Sequence, residues 1–171
     1  SLVSQREIPT DASSFSRALR AALRQAPDVI MLGEMRDQET IRTAITAAET
    51  GHLILSSLHT IGASKTVDRI LDVFPAEQQA QIRVQLSMVL KAVVSQRLVT
   101  TKNGSQMPVF EVMTLNPAIQ NMIRDGRTHQ IDNAILGGGP AGNSTAGAAA
   151  LGLSAAFVGT VGDDADGRMI L

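Results

Sequence analysis

The segment 27–60, PDVIMLGEMRDQETIRTAITAAETGHLILSSLHT, sets one carboxylate and two imidazoles at the ends of two short apolar runs. Glu34 follows Val29-Ile30-Met31-Leu32-Gly33, while His52 and His59 bracket Leu53-Ile54-Leu55-Ser56-Ser57-Leu58. A carboxylate can orient and deprotonate a water, and an imidazole can hydrogen-bond to charge that develops nearby. Nucleotide hydrolysis asks for such a pair, with one group on the attacking water and one polar side chain sensing the terminal phosphate.

The elements that would place these groups follow from the pattern. Runs as short and apolar as Val29–Leu32 and Leu53–Leu55 read as buried parallel strands. The carboxyl ends of such strands face the ligand crevice of an open α/β sheet. Glu34 and His59 are therefore expected at the same edge of one sheet. A helix over 38–50, closed by Gly51, lies between the strands, and His52 is placed either at the site or as a side-chain cap on that helix. Ser13-Ser14 can cap a further helix over 15–26, ended by Pro27. Val67, Ile70 and Leu71 mark a helix over 63–73, broken by Phe74-Pro75. Pro75 starts a longer one to about Ser95, with Ile82, Leu86, Val89, Leu90 and Val93 as its buried stripe. Asn103-Gly104 is a hairpin signal between two strands. Asn116-Pro117 opens a last helix that Gly126 closes. Met31, Met35, Met88, Met107, Met113 and Met122 read as core filler, and His129 as a surface residue.

The motifs within these elements resemble those of the PilT-type type IV pilus retraction ATPases, a branch of the secretion ATPase superfamily. Gly33-Glu34 matches a Walker B element that ends in Gly-Glu. Thr50-Gly51-His52 and Leu58-His59-Thr60 match the His box. Ala118-Ile119-Gln120-Asn121-Met122-Ile123-Arg124-Asp125 is similar to the AIRNLIRE signature of the retraction branch, departing at Gln120 and Asp125. The resemblance covers residues 1–133 and implies the C-terminal part of a RecA-like P-loop ATPase core with C-terminal helices. It implies Glu34 and His59 as the catalytic pair, and the retraction motif at Ala118, Ile119, Asn121, Ile123 and Arg124. His52, Arg36, Arg42 and Arg69 are candidates for contacts with ATP phosphates or a neighbouring subunit. It further implies ATP and Mg2+ as ligands, and a homo-hexamer that drives pilus retraction and twitching motility. The implied partner is an inner-membrane pilus platform protein, which places the motor in the cytoplasm, peripheral to that membrane.

No stretch of the 171 residues carries G-x-x-x-x-G-K-[ST], the loop whose backbone N–H groups and lysine cradle phosphates. The chain is thus expected to bind ATP weakly and to be inactive alone. A non-catalytic hexamer-interface or regulatory module is the alternative. Gly137 to Thr145 imitates the loop, but Asn143 stands where the lysine must be.

From about residue 134 the composition turns to Gly, Ala, Ser and Thr. Gly138-Gly139, Asn143 and the run Phe157 to Gly167 resemble the N-terminal signature of the PfkB/ribokinase sugar kinases, in which the glycines hinge a lid and the asparagine touches the sugar. Residues 134–171 are accordingly expected to be a separate short Gly/Ala-rich α/β fragment, joined near Ile135, and a truncated sugar or nucleoside kinase fusion is a third reading.

Composition bounds the rest. A formal charge of −1 offers no basic field for nucleic acid. Zero cysteines remove disulfides, thiolate catalysis and cysteine-held zinc, and no metal site is expected. No signal peptide is read at the start of the chain, and no apolar run approaches the ~20 residues that span a bilayer. The fold class expected is α/β, in a soluble cytoplasmic protein.

Overall fold

The computed structural model describes residues 3–100 and 103–137, the last two by backbone alone. Gly138, Gly139, Asn143 and the rest of the kinase-like tail lie outside the described residues.

Strands β1 (Val29–Leu32) and β2 (Leu53–Ser56) pair in parallel, Val29 opposite Leu53 and Leu32 opposite Ser56. Helix α2 (Gln38–Glu49) makes the crossover between them. The Asp37 side chain caps it at one end, and at the other Thr50 gives way to Gly51 at φ 97°, a left-handed conformation that glycine adopts without strain. Helix α1 (Phe15–Leu23) packs on α2; Ser14 caps it, its hydroxyl accepting from the Arg17 N–H. α1 ends three residues before the expected Ala26, which sits instead at φ 48° in the turn into β1.

Beyond β2 come α3 (Ala63–Asp72) and α4 (Ala76–Val89), then the antiparallel hairpin β3 (Ala92–Thr100) and β4 (Gln106–Thr114). Helix α5 (Pro117–Arg124), a 3-10 turn (Thr128–Gln130) and α6 (Ile131–Gly137) close the described part. The expected continuation of α4 to Ser95 is overturned: Leu90 is extended (φ −60°, ψ 132°), and Ser95 lies in β3. Val93 is buried as expected, but from a strand. Its β-branched neighbourhood favours a pleated partner, and Met113 supplies one directly opposite.

Two apolar clusters hold the elements together. The larger joins Ile41 and Ile45 of α2, Val67, Ile70 and Leu71 of α3, Phe74 of the turn that follows, Ile82 and Leu86 of α4, Val93 and Met113 of the hairpin, Ile119 and Ile123 of α5, and Ile131 and Ile135 of α6. The smaller, Leu19, Ile30, Leu32 and Ala44, seats α1 and α2 on one face of the parallel sheet. The opposite face is bare. Val29 is 51 % exposed, Met31 78 %, and Leu53 and Leu55 47 % each. The expectation of strands buried on both sides is thus corrected: among the described residues one layer covers the sheet, so alternate side chains face outward. Met31 for this reason is not core filler; Met88 and Met107 are also exposed, whereas Met113 is buried.

Candidate functional site

Parallel pairing carries the chain from β1 and from β2 out at the same edge. Two bonds extend the pairing past the last ladder residues: the Met35 N–H donates to the Ser57 carbonyl at 3.4 Å, and the Ser57 hydroxyl donates to the Gly33 carbonyl. They hold the Gly33–Met35 turn beside the Ser57–His59 turn. The result is that Glu34 Oε2 lies 3.5 Å from His59 Nε2 and 2.5 Å from Arg36 Nε.

Glu34, Met35, Arg36, Ser57, Leu58, His59 and Arg69 line a cleft of about 360 Å3, in the range of small-ligand sites. Glu34 lies deeper than its two partners, its side chain 23 % exposed against 74 % for Arg36 and 85 % for His59. Exposed ion pairs of this kind are worth about 0–1 kcal/mol. Either partner can therefore leave the carboxylate for an incoming anion at little cost. Arg69, in the last turn of α3, adds a second guanidinium to the wall. An anion in the cleft would meet two guanidinium groups and an imidazole around one carboxylate, a donor set that suits the terminal phosphate of a nucleotide. Among the described residues no group of three or more His, Asp or Glu could hold a metal ion. Mg2+ is commonly held by one or two carboxylates together with substrate phosphates, and Glu34 is the one carboxylate among the residues that line this cleft.

The start of α2 fixes the other end of the Glu34 turn. Asp37 accepts from the Thr40 N–H at 2.8 Å and from the Thr40 hydroxyl at 2.7 Å. Partial burial raises the Asp37 pKa; hydrogen bonds from the Thr40 hydroxyl and from the N–H groups of Thr40, Glu39 and Asp37 itself lower it, and the net effect is a carboxyl below its ordinary value. This cap escaped the sequence reading, although Asp ahead of a helical run, three residues before a Thr, is a helix-start signal.

The remaining candidates are dispersed. His52 sits at the opposite end of β2 from His59, where its Nδ1 lies 3.1 Å from the Ala47 carbonyl and 3.2 Å from the Thr50 hydroxyl, as a cap on the C-terminus of α2. Arg42 turns away from the cleft, its guanidinium 5.3 Å from the centre of the Phe74 ring and hydrogen-bonded to Gln78, so its contacts tie α2 to the start of α4. The AIRNLIRE-like helix divides by face: Ile119 and Ile123 are buried in the larger core, while Ala118, Asn121 and Arg124 are exposed. His129 is exposed, as expected.

A family model described as Type II/IV secretion system protein matches residues 5–124. The chain is 51 % identical over 144 residues to the type IV pilus retractation ATPase PilT of Pseudomonas aeruginosa, covering 84 % of this chain and 42 % of that protein. It is 49 % identical over 146 residues to the twitching motility protein of Neisseria gonorrhoeae, covering 85 % of this chain and 39 % of that one. A crystal structure of the pilus retraction motor PilT with bound ADP superposes with a TM-score of 0.74 at 43 % identity, over 88 % of this chain and 43 % of that one. The chain thus spans about two fifths of the length of the relatives it matches.

Proposed function

The chain belongs to the type II/IV secretion system protein family, with retraction ATPases of the PilT type among its relatives, and from this we propose that it is the part of an ATP-hydrolysing pilus retraction motor that carries the water-activating carboxylate. The observation that carries the reading is the meeting of Glu34 and His59 at one strand edge, in a cleft that Arg36 and Arg69 also line. In this reading Glu34 accepts the proton of the attacking water and holds it in line with the terminal phosphate. His59 and Arg36, both able to leave the carboxylate at little cost, turn to the phosphate oxygens as negative charge shifts toward the leaving group. Bound Mg2+ would supply charge neutralisation for the nucleotide phosphates, with Glu34 as the carboxylate of the cleft able to help hold it.

The motor works as a homo-hexamer on an inner-membrane pilus platform protein, with ATP between subunits. It sits in the cytoplasm, peripheral to that membrane. The apolar face of the parallel sheet that the described residues leave uncovered supports a larger assembly, because parallel sheets ordinarily carry a layer on both faces. Arg124, Asn121 and Ala118, exposed along α5, are the part of the retraction motif free for such contacts.

A chimera tests the reading, with residues 5–124 of this chain replacing the aligned segment of the Pseudomonas aeruginosa PilT. It supplies the phosphate-binding loop and is expected to hydrolyse ATP. Glu34→Gln in that chimera should lower turnover by about 100-fold, roughly 2.7 kcal/mol of barrier, with KM little changed. A fall of less than about threefold removes Glu34 from the catalytic role.

A further inference from the structure

The turn that carries His59 into α3 is secured from outside its own neighbourhood in sequence. Gly62, at φ 93°, is the N-cap of α3 and gives the helix no side-chain cap. Its first amides are bonded instead by the hairpin: the Gly62 N–H donates to Ser95 Oγ at 2.9 Å, and the Ala63 N–H to Glu111 Oε1 at 2.8 Å. Ser95 and Glu111 stand directly opposite each other in the β3–β4 register, two residues along from the buried pair Val93 and Met113 and so on the same face. The hairpin face that enters the core thus continues as a polar pair aimed at successive amides of a helix N-terminus, where an acidic acceptor is electrostatically favoured. Within α3, Thr66 holds the turn from the other side. Its hydroxyl donates to the Gly62 carbonyl at 2.8 Å and lies 2.7 Å from the Thr60 hydroxyl. Thr60 follows His59 directly.

We propose that Ser95 and Glu111 are positioning residues for the Glu34–His59 pair: by capping α3 from the hairpin they hold the Thr60–Gly62 turn, and with it His59, against Glu34. Displacement of the hairpin then withdraws two hydrogen bonds from the turn and moves His59 off the carboxylate, so the hairpin is a handle through which a contact more than 30 residues away in sequence acts on the site. The significance for hydrolysis rests on the catalytic reading of Glu34 and His59; the positioning itself does not.

The test uses the 171-residue chain and NMR. In the otherwise unaltered chain Glu34→Gln is expected to shift the His59 ring-proton resonances. In a Glu111→Ala background that response is expected to fall to less than half, while Ala63 amide exchange speeds at least about tenfold and the Ile123 and Val67 methyl signals stay in place. Glu111→Gln, which retains an oxygen to accept the Ala63 N–H, should restore both. Should Glu111→Ala fail to fold, Ser95→Ala removes the Gly62 acceptor alone and is read in the same way, at Gly62. An undiminished His59 response with fast Ala63 exchange would leave Glu111 as a helix cap without influence on the site and overturn the proposal. Unchanged Ala63 exchange overturns it too, because the cap would then carry no weight. None of these readings depends on turnover, so failure of the catalytic assignment, read from Glu34→Gln in the chimera, is separately visible.

Discussion

Replacing Asp37 by alanine removes two acceptors from the first turn of α2, the partners of the Thr40 N–H and the Thr40 hydroxyl. Loss of an N-cap side chain typically costs about 1 kcal/mol. Thr40 is buried, 1 % exposed, so its hydroxyl is left without that acceptor, adding about 1–3 kcal/mol if nothing replaces it. The helical backbone lies within reach of a threonine hydroxyl and can offer partial replacement, which puts the total near 2 kcal/mol. In a domain of this size that lowers the melting temperature by roughly 4–8 °C. Asp37→Asn keeps one acceptor and should cost less than about 1 kcal/mol. In Asp37→Ala/Thr40→Val both partners are gone and no buried hydroxyl remains unpaired, so roughly 1 kcal/mol should return relative to the single variant. The pH dependence has a fixed sign. Asp37 has a folded-state pKa below its ordinary 3.8, so its charge contributes stability that is fully present above that value and lost as pH falls through the lowered one. The gap between the unaltered chain and Asp37→Asn should accordingly close only under acid conditions below about pH 4. Urea melts at pH 7 and at pH 3 measure all three variants. A cost below about 0.5 kcal/mol for Asp37→Ala, or a double variant no more stable than the single one, would refute the account of the cap.

Two further outcomes are expected. Ile123→Ala, at a fully buried position of the retraction-like helix, should destabilise the chain by about 2–5 kcal/mol, whereas Asn121→Ala on the exposed face of the same helix should stay within about 0.5 kcal/mol; equal effects in denaturant melts would contradict the division of the motif into a core face and a contact face. Calorimetric titration of the chain with a non-hydrolysable ATP analogue and Mg2+ should give a Kd weaker than roughly 10 µM, because no G-x-x-x-x-G-K-[ST] loop is present to cradle the phosphates; tighter binding would show that the cleft around Glu34 suffices without it.

Much of the site's placement was legible in local sequence. Short apolar runs ending at Gly33 and Ser56, a helix-length stretch between them and Gly51 at its close describe a β–α–β unit, and parallel pairing then sends Glu34 and His59 out at one edge. These signals are local: apolar run length, helical spacing, and glycine where φ turns positive. Asn116-Pro117 likewise announced the start of α5, Asn116 capping it and Pro117 opening it, and Gly104 marks the hairpin loop, where it takes a φ of 77° that glycine adopts without strain.

What sequence spacing could not decide depended on neighbours distant along the chain. Residues 92–95 fit a helical stripe as well as a strand until the β4 segment 111–114 arrives as a partner, and pairing across some twenty residues outweighs the local pattern. Whether Val29 and Met31 are buried depends on what lies over the second face of the sheet, which alternation within β1 does not specify. His52 and His59 are equivalent in type and both flank β2; only the placement of α2's last turn beside the start of β2 turns one into a helix cap, while the other faces Glu34. The residues themselves determined the kind of chemistry available to this chain. Tertiary contacts decided which of them meet, because hydrogen bonds and ion pairs form between groups that packing brings within a few ångströms, and that distance in space is not encoded by separation in sequence.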